Sequence, residues 1–226
     1  MHPQSLFIVS LWVRARSVGR FFKQLTTHIM ERIYVQFERY SSLNEEIKQD
    51  LTTLGKIKRY NKGSYYKHED EAISKWCFII QGLVSEEHFN AGDRLVVERI
   101  CDTNEYFVGT KHTFSSTGEP LAIKFLKPTL LYEIRNSHLQ ELLDQHDELK
   151  AIYHRLVQRK LNQSNRHIHR TNGLLAEERL YDLHLDRPNL IKQLTVEQKS
   201  AFLKLANNEA YYKAKKYMDK KLKNIS

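Results

Sequence analysis

Apolar side chains recur at three- and four-residue steps through Ile33, Phe37, Tyr40, Leu43, Ile47, Leu51 and Leu54, which predicts helix over residues 31–54. Ser41 or Ser42 followed by Glu45 has the form of a capping box, so a break near Tyr40 and two helices are expected. After Gly55 the period falls to two and turn residues come often. Lys56–Tyr60 alternates, and Asn61-Lys62-Gly63 is a turn. Trp76–Ile80 is a continuous apolar run ended by Gln81-Gly82, Leu83–Phe89 follows, and Asn90-Ala91-Gly92-Asp93 is a second turn. With Arg94–Ile100, Tyr106–Val108, Leu121–Leu126 and Leu130–Ile134 this makes about eight strands, the count of an antiparallel barrel or jelly roll.

From Ser137 the pattern is helical again. Leu142, Leu149 and Leu156 fall seven apart, His146 and Tyr153 form a second seven-residue row, and Leu139, Ile152 and Leu161 flank them. A helix that pairs with a second copy of the chain through Leu142, His146, Leu149, Tyr153 and Leu156 is one reading. A helix packed on its own barrel is the other. Asn172-Gly173 marks a boundary, and three helical segments follow: Leu174–Leu185, Thr195–Leu203 (capped by Thr195 with Gln198) and Asn207–Leu222. A short helix, a tight turn and a longer basic helix have the spacing of a helix-turn-helix. The expected units are a leader over 1–29, a roll over 30–136, a dimerisation helix over 137–172 and a helix-turn-helix domain over 173–226.

Composition excludes several classes. The chain has 226 residues, 41% hydrophobic and 28% charged, with 4 prolines, 8 glycines and 2 cysteines, so collagen-like, disordered and disulfide-scaffold proteins are out. Two cysteines fit a reducing, cytoplasmic setting. The net charge of +9 sits at the ends. Residues 1–29 carry Arg14, Arg16, Arg20 and Lys23 with no acid, residues 30–171 are nearly balanced, and 172–226 are basic again. A neutral body with a basic terminal segment suits a sensor joined to a nucleic-acid module. Leu6–Val13 is too short to span a bilayer, and its arginines follow rather than precede it. An extended start before a domain opening at Met30 is expected there, with an amphipathic surface helix as the alternative.

No glycine-rich phosphate loop, nucleophile elbow or zinc-protease helix motif occurs, so neither a catalytic set, a metal site nor a cofactor is expected. His167 and His169 point to different sides of a helix and, with His184, read as solvated or phosphate-facing. Cys77 reads as core and Cys101 as accessible at a strand end. Glu69-Asp70-Glu71 and Glu86-Glu87 read as solvated surface.

The stretches YNKGSYY (60–66), WCFIIQGLV (76–84), FVGTKHTFSSTGEP (107–120) and LLAEERLYDLHLDRPNLI (174–191) together resemble the cyclic-AMP-receptor/fumarate-nitrate-regulator (Crp/Fnr) superfamily of bacterial transcription regulators, over about residues 31–222. The resemblance implies an α+β chain: an antiparallel β-roll with flanking helices, a long dimerisation helix and a C-terminal winged-helix-like helix-turn-helix. It also implies a DNA-binding homodimer with a small-molecule effector of unknown identity, no membrane association and no enzymatic activity.

The sequence departs from that pattern twice. Where cyclic-nucleotide-binding members have Gly-Glu and later an Arg, this chain has Gly109-Thr110 and Leu121-Ala122. A pocket at Gly109, Thr110, Leu121 and Ala122 lacks the donor fork a cyclic phosphate needs, so cyclic AMP is not expected to bind there in the family manner. Gly118-Glu119 falls too late to replace the pair. In the reading head, Lys204 stands where a turn glycine is usual, and the helix from Asn207 has Tyr211 and Tyr212 near the place of the usual Ser-Arg. Asn207 and Asn208 could read an adenine edge, Lys213, Lys215 and Lys216 would serve phosphates, and Lys204, Tyr211 and Tyr212 complete the expected DNA-binding set. The alternative is a member that has lost DNA binding and acts as a small-ligand or protein-interaction module.

Overall fold

The computed structural model describes residues 26–224, and the Leu6–Val13 run and the arginines after it lie outside these. Helix α1 (26–37) already buries Ile29 and Met30, so a boundary between 29 and 30 cuts through a packed helix. The break near Tyr40 is present. The cap of α2 (Glu45–Leu54) is Asn44, whose Oδ1 accepts from the Ile47 N–H at 2.8 Å, and not Ser41 or Ser42.

Eight strands follow: β1 (Lys56–Tyr60), β2 (Tyr65–Lys67), β3 (Ile73–Gln81), β4 (Leu83–Phe89), β5 (Leu95–Asp102), β6 (Tyr106–Gly109), β7 (Ala122–Phe125) and β8 (Thr129–Arg135). They form two four-stranded antiparallel sheets, ordered β1-β8-β3-β6 and β2-β7-β4-β5. The β3–β4 turn needs Gly82: its φ is +128°, and a Cβ there would run into Thr129. Cys77, Ile79, Val84, Phe107, Ile123, Phe125 and Leu131 fill the space between the sheets.

The segment 137–172 is two helices, α3 (Asn136–Gln145) and α4 (Asp147–Gly173), because His146 between them is extended (φ −127°, ψ 107°) and meets Asp50 at 3.3 Å. Leu142, Leu149 and Leu156 pack with Leu139 and Ile152 onto Trp76, Tyr132 and Ile134 of the roll. Tyr153 is half-buried, its hydroxyl donating to Thr113 Oγ1 at 2.9 Å. Of the five residues expected at a dimer interface, Leu142, Leu149 and Leu156 therefore lie in the chain's own core, Tyr153 packs against it and His146 pairs with Asp50, since a seam of leucines fits a curved sheet as well as a second helix. The exposed row of α4 is His154, Leu161 and Ile168, again seven apart, with Leu161 and Ile168 51% and 54% exposed.

The C-terminal head comprises α5 (Ala176–Asp186), a single turn α6 (Pro188–Ile191), α7 (Val196–Phe202) and α8 (Asn208–Lys223). No strand follows β8 among the described residues, so the described head is helical and shows no wing of the kind expected from the resemblance. The span from Arg187 to Thr195 is taken up by Pro-initiated α6 and the Thr195 cap, which leaves no room for a hairpin. Leu180, Leu183, Leu190, Ile191, Leu194, Phe202 and Leu203 pack against Leu83, Val97, Ile100 and Leu126, so the head sits on the outer side of the second sheet.

Candidate nucleic-acid interface

The turn between α7 and α8 spans residues 203–207. Lys204 adopts φ +51°, the left-handed conformation that a glycine would take without strain. Arg179 holds this turn, donating from Nη1 to the Leu203 and Lys204 carbonyls at 3.1 and 3.2 Å. The Lys204 ammonium lies 3.2 Å from Glu98 of β5, which ties the turn to the roll.

Helix α8 stands on α5 and α7 through Tyr211 and Ala214. Tyr211 is thus a packing residue and cannot reach a base, contrary to the sequence expectation. Asn207 is spent as the α8 cap: its Oδ1 accepts from the Ala210 N–H at 2.9 Å. Asn208 is exposed at the first residue of the helix, and Tyr212 is 60% exposed one turn later. Lys213 is exposed but paired with Glu209 at 2.8 Å, an interaction that raises the lysine's pKa and lowers the glutamate's. Lys215, Lys216, Lys220, Lys221 and Lys223 are exposed. The N-terminal part of such a helix meets base edges, and here its first turn offers Asn208 and one acid, with Tyr212 one turn on and most of the charge further along.

Polar side chains join the head to the body. Glu105, buried in the β5–β6 turn, accepts from Gln163 of α4 at 2.6 Å and from Arg187 at 3.1 and 3.3 Å. Arg187 also donates to the Ile100 carbonyl at 3.1 Å. Arg170 of α4 bridges Asp182 (2.7 Å) and Asp186 (2.8 Å) of α5. His167 stacks on Phe202 with centroids 4.2 Å apart and planes within 9°. It is buried, with neither ring nitrogen hydrogen-bonded. Burial first, and then the charges of Arg170, Lys204 and Arg99, push its pKa down to about 4. The solvated reading of His167 is therefore corrected, whereas His169 is exposed.

The roll holds further surprises. Of the expected ligand residues, Gly109, Thr110 and Ala122 are buried and Leu121 is half-buried. The Thr110 hydroxyl accepts from Asn136 Nδ2 (3.1 Å) and donates to the His112 carbonyl (2.9 Å), and a Cβ at Gly109 would strike the Ile73 carbonyl. Glu86 and Glu87, expected on the surface, are buried. Arg99 meets Glu86 with two N–O approaches of 3.0 Å, and Glu87 accepts from Ser85 at 2.6 Å. Burial raises the pKa of Glu119 nearby. It also lowers that of Lys160, which lies 4.8 Å from the centre of the Tyr106 ring. Cys101, expected to be accessible, is buried, and burial pushes its thiol pKa up to about 12. Among the described residues no group of three or more His, Cys, Asp and Glu could hold a metal ion, and no helix is long and apolar enough to cross a membrane.

No family model matches the chain, and no curated protein does. Solved structures do. FixK2 from Bradyrhizobium japonicum superposes with a TM-score of 0.63 at 14% identity, over 74% of this chain and 85% of its own. The global regulator CLP from Xanthomonas campestris gives 0.61 at 19% identity over 77% and 91%, and a crp/fnr-family transcriptional regulator from Eubacterium rectale gives 0.59 at 12% over 79% and 85%. The chain has the Crp/Fnr regulator fold. These three matches cover most of both chains, so the likeness to Crp/Fnr structures takes in more than the roll.

Sequence reasoning missed Arg179, which clamps the α7–α8 turn, and Arg187. It also missed Glu105, which gathers α4 and the head onto the roll. The signal for Arg187 was its place before Pro188, where the chain must turn and a long donor can reach back. Nothing in the sequence marked Glu105 out from other turn glutamates.

Proposed function

We propose that the chain is a DNA-binding transcription regulator of Crp/Fnr type, acting as a homodimer, whose roll does not bind cyclic AMP in the family manner. The observation that carries the DNA reading is α8: a helix of 16 residues seated on α5, with Asn208, Tyr212, Lys215 and Lys216 exposed together. Lys215 and Lys216 serve phosphates, and Asn208 is the residue placed to meet a base edge. The dimer forms through His154, Leu161 and Ile168, because the leucine row is already used within the chain. Side-chain chemistry supports the absence of a cyclic-nucleotide site. Thr110 has its hydroxyl committed to Asn136 and His112, Leu121 and Ala122 carry no charge, and the buried Lys67 donates to the Glu119 and His68 carbonyls at 2.8 and 3.1 Å.

Electrophoretic or anisotropy binding to mixed duplex DNA at low and moderate salt tests the first claim. Steep salt dependence with a sequence-selected fraction supports it, and no binding by a folded dimer favours the interaction-module alternative. Leu161→Asp with Ile168→Asp should convert dimer to monomer in analytical ultracentrifugation without unfolding it. Calorimetry with millimolar cyclic AMP should show no heat.

A further inference from the structure

Between α4, the β5–β6 turn and the head lies an open cleft of about 560 Å³. Four arginines line it: Arg155, Arg159 and Arg166 from α4, and Arg187 from the start of the head's α6. Two of them are fixed by carboxylates. Arg187 is held by Glu105, and Arg166 by Asp186 at 2.6 Å. Each of those carboxylates serves two guanidiniums: Glu105 also has Arg159 at 3.7 Å, and Asp186 also has Arg170 at 2.8 Å. The third acid of the lining, Asp102, accepts from the Thr103 N–H at 2.7 Å and from Gln193 at 3.4 Å. Arg155 is exposed and makes no ion pair or hydrogen bond among the described residues.

A guanidinium offers five donors in a planar fork, and the bonds above occupy at most three on Arg187, one on Arg166 and none on Arg159, whose nearest carboxylate oxygen lies 3.7 Å away. Fixed forks with spare donors, arriving from two different elements and facing one space, match the oxygens of phosphate groups better than a single carboxylate. The cleft is also larger than a lone ion needs and falls within the range of about 300–1,000 Å³ typical of small-ligand sites. At 100° per residue, Arg155, Asn162 and Arg166 lie on a face of α4 about a third of a turn from the His154, Leu161 and Ile168 row. A second copy seated on that row therefore leaves the cleft side of the helix free.

We propose that this interdomain cleft binds a small phosphate-bearing anion, held by Arg155 and Arg159 of α4 and Arg187 of the head. The ligand's oxygens take the free donor edges while Glu105 keeps Arg159 and Arg187 in place. Because the lining comes from both α4 and the head, occupancy ties the head to the body. The site is separate from the DNA-facing side of α8 and stands whether or not α8 reads DNA.

The test is calorimetry on the full chain with inorganic triphosphate as the probe and ATP beside it, at 150 mM salt. The wild type should bind triphosphate with a Kd below about 1 mM. Arg155→Gln, an exposed change that leaves folding intact, should weaken it by roughly five-fold or more, and Arg159→Gln likewise. Lys215→Ala with Lys216→Ala should leave it unchanged. Equal affinity for ATP marks the phosphate chain as the recognised part, and tighter ATP binding adds its nucleoside; both uphold the site. Absence of binding at 5 mM of either probe overturns the proposal. So does loss of binding in the double lysine variant with none in Arg155→Gln, which would put the anion on α8.

Discussion

Lowering the pH should loosen the head through one histidine. His167 is 6% exposed, stacked on Phe202 and without a hydrogen-bond partner on either nitrogen. Arg170, Lys204 and Arg99 act on it as positive charges, while Asp182 and Asp186 are paired with Arg170. In the folded chain it takes a proton only near pH 4, against 6.5 for an ordinary histidine. The unfolded chain therefore binds this proton first as pH falls. Stability is complete above 6.5, begins to drop through that value, and has lost the whole contribution below 4. The displacement corresponds to about 3 kcal/mol in total, of which about 2 kcal/mol disappears between pH 8 and pH 5. Urea denaturation of the wild type and of His167→Phe at those two pH values isolates the effect. Phenylalanine keeps the stack on Phe202 and removes two unsatisfied nitrogens, so the variant should match or exceed the wild type at pH 8. It should also lose about 2 kcal/mol less than the wild type on going to pH 5. The same pH dependence in both proteins, within about 0.5 kcal/mol, would refute the reasoning.

Three further outcomes follow from named contacts. Lys204→Gly relieves a left-handed lysine worth about 1–2 kcal/mol but gives up chain stiffness and the Glu98 pair, so a small net gain of up to about 1 kcal/mol in thermal melting is expected. Gly109→Ala forces a methyl group into the Ile73 carbonyl and should cost about 1–3 kcal/mol in the same measurement. Glu209→Gln frees Lys213 and removes an acid from the first turn of α8, so DNA affinity should rise at low salt and the salt slope should steepen by about one contact; an unchanged slope would show that Lys213 stays clear of phosphates.

Much of the fold is legible in the sequence because its period changes from 3.6 to 2 and back at Gly55 and Ser137. Seven strands and the three main helices of the head follow from runs such as Trp76–Ile80 and from turns such as Asn90–Asp93. The three-residue β2 is missed because Tyr65-Tyr66-Lys67 is too short to alternate. A heptad row reveals a narrow apolar stripe but not whose surface it meets, and for that reason Leu142, Leu149 and Leu156 pass equally for a dimer seam. Charge misleads for a related reason. Glu86 is buried because Arg99 sits opposite it across the β4–β5 ladder, a pairing that depends on register and so is invisible in a single sequence. At the candidate interface the left-handed Lys204 was readable from its place in the turn. The burial of Tyr211 and the diversion of Asn207 into a cap appear only once α8 has a packed side.

The central claim, that α8 is a DNA-reading helix, is tested most directly by the salt dependence of duplex binding in the wild type and in Lys215→Ala/Lys216→Ala. The account predicts that the double variant lowers the slope of log K against log salt by about two phosphate contacts while keeping the same selected sequences. A slope unchanged by the double substitution, or a wild type that binds no duplex even at low salt, would contradict it.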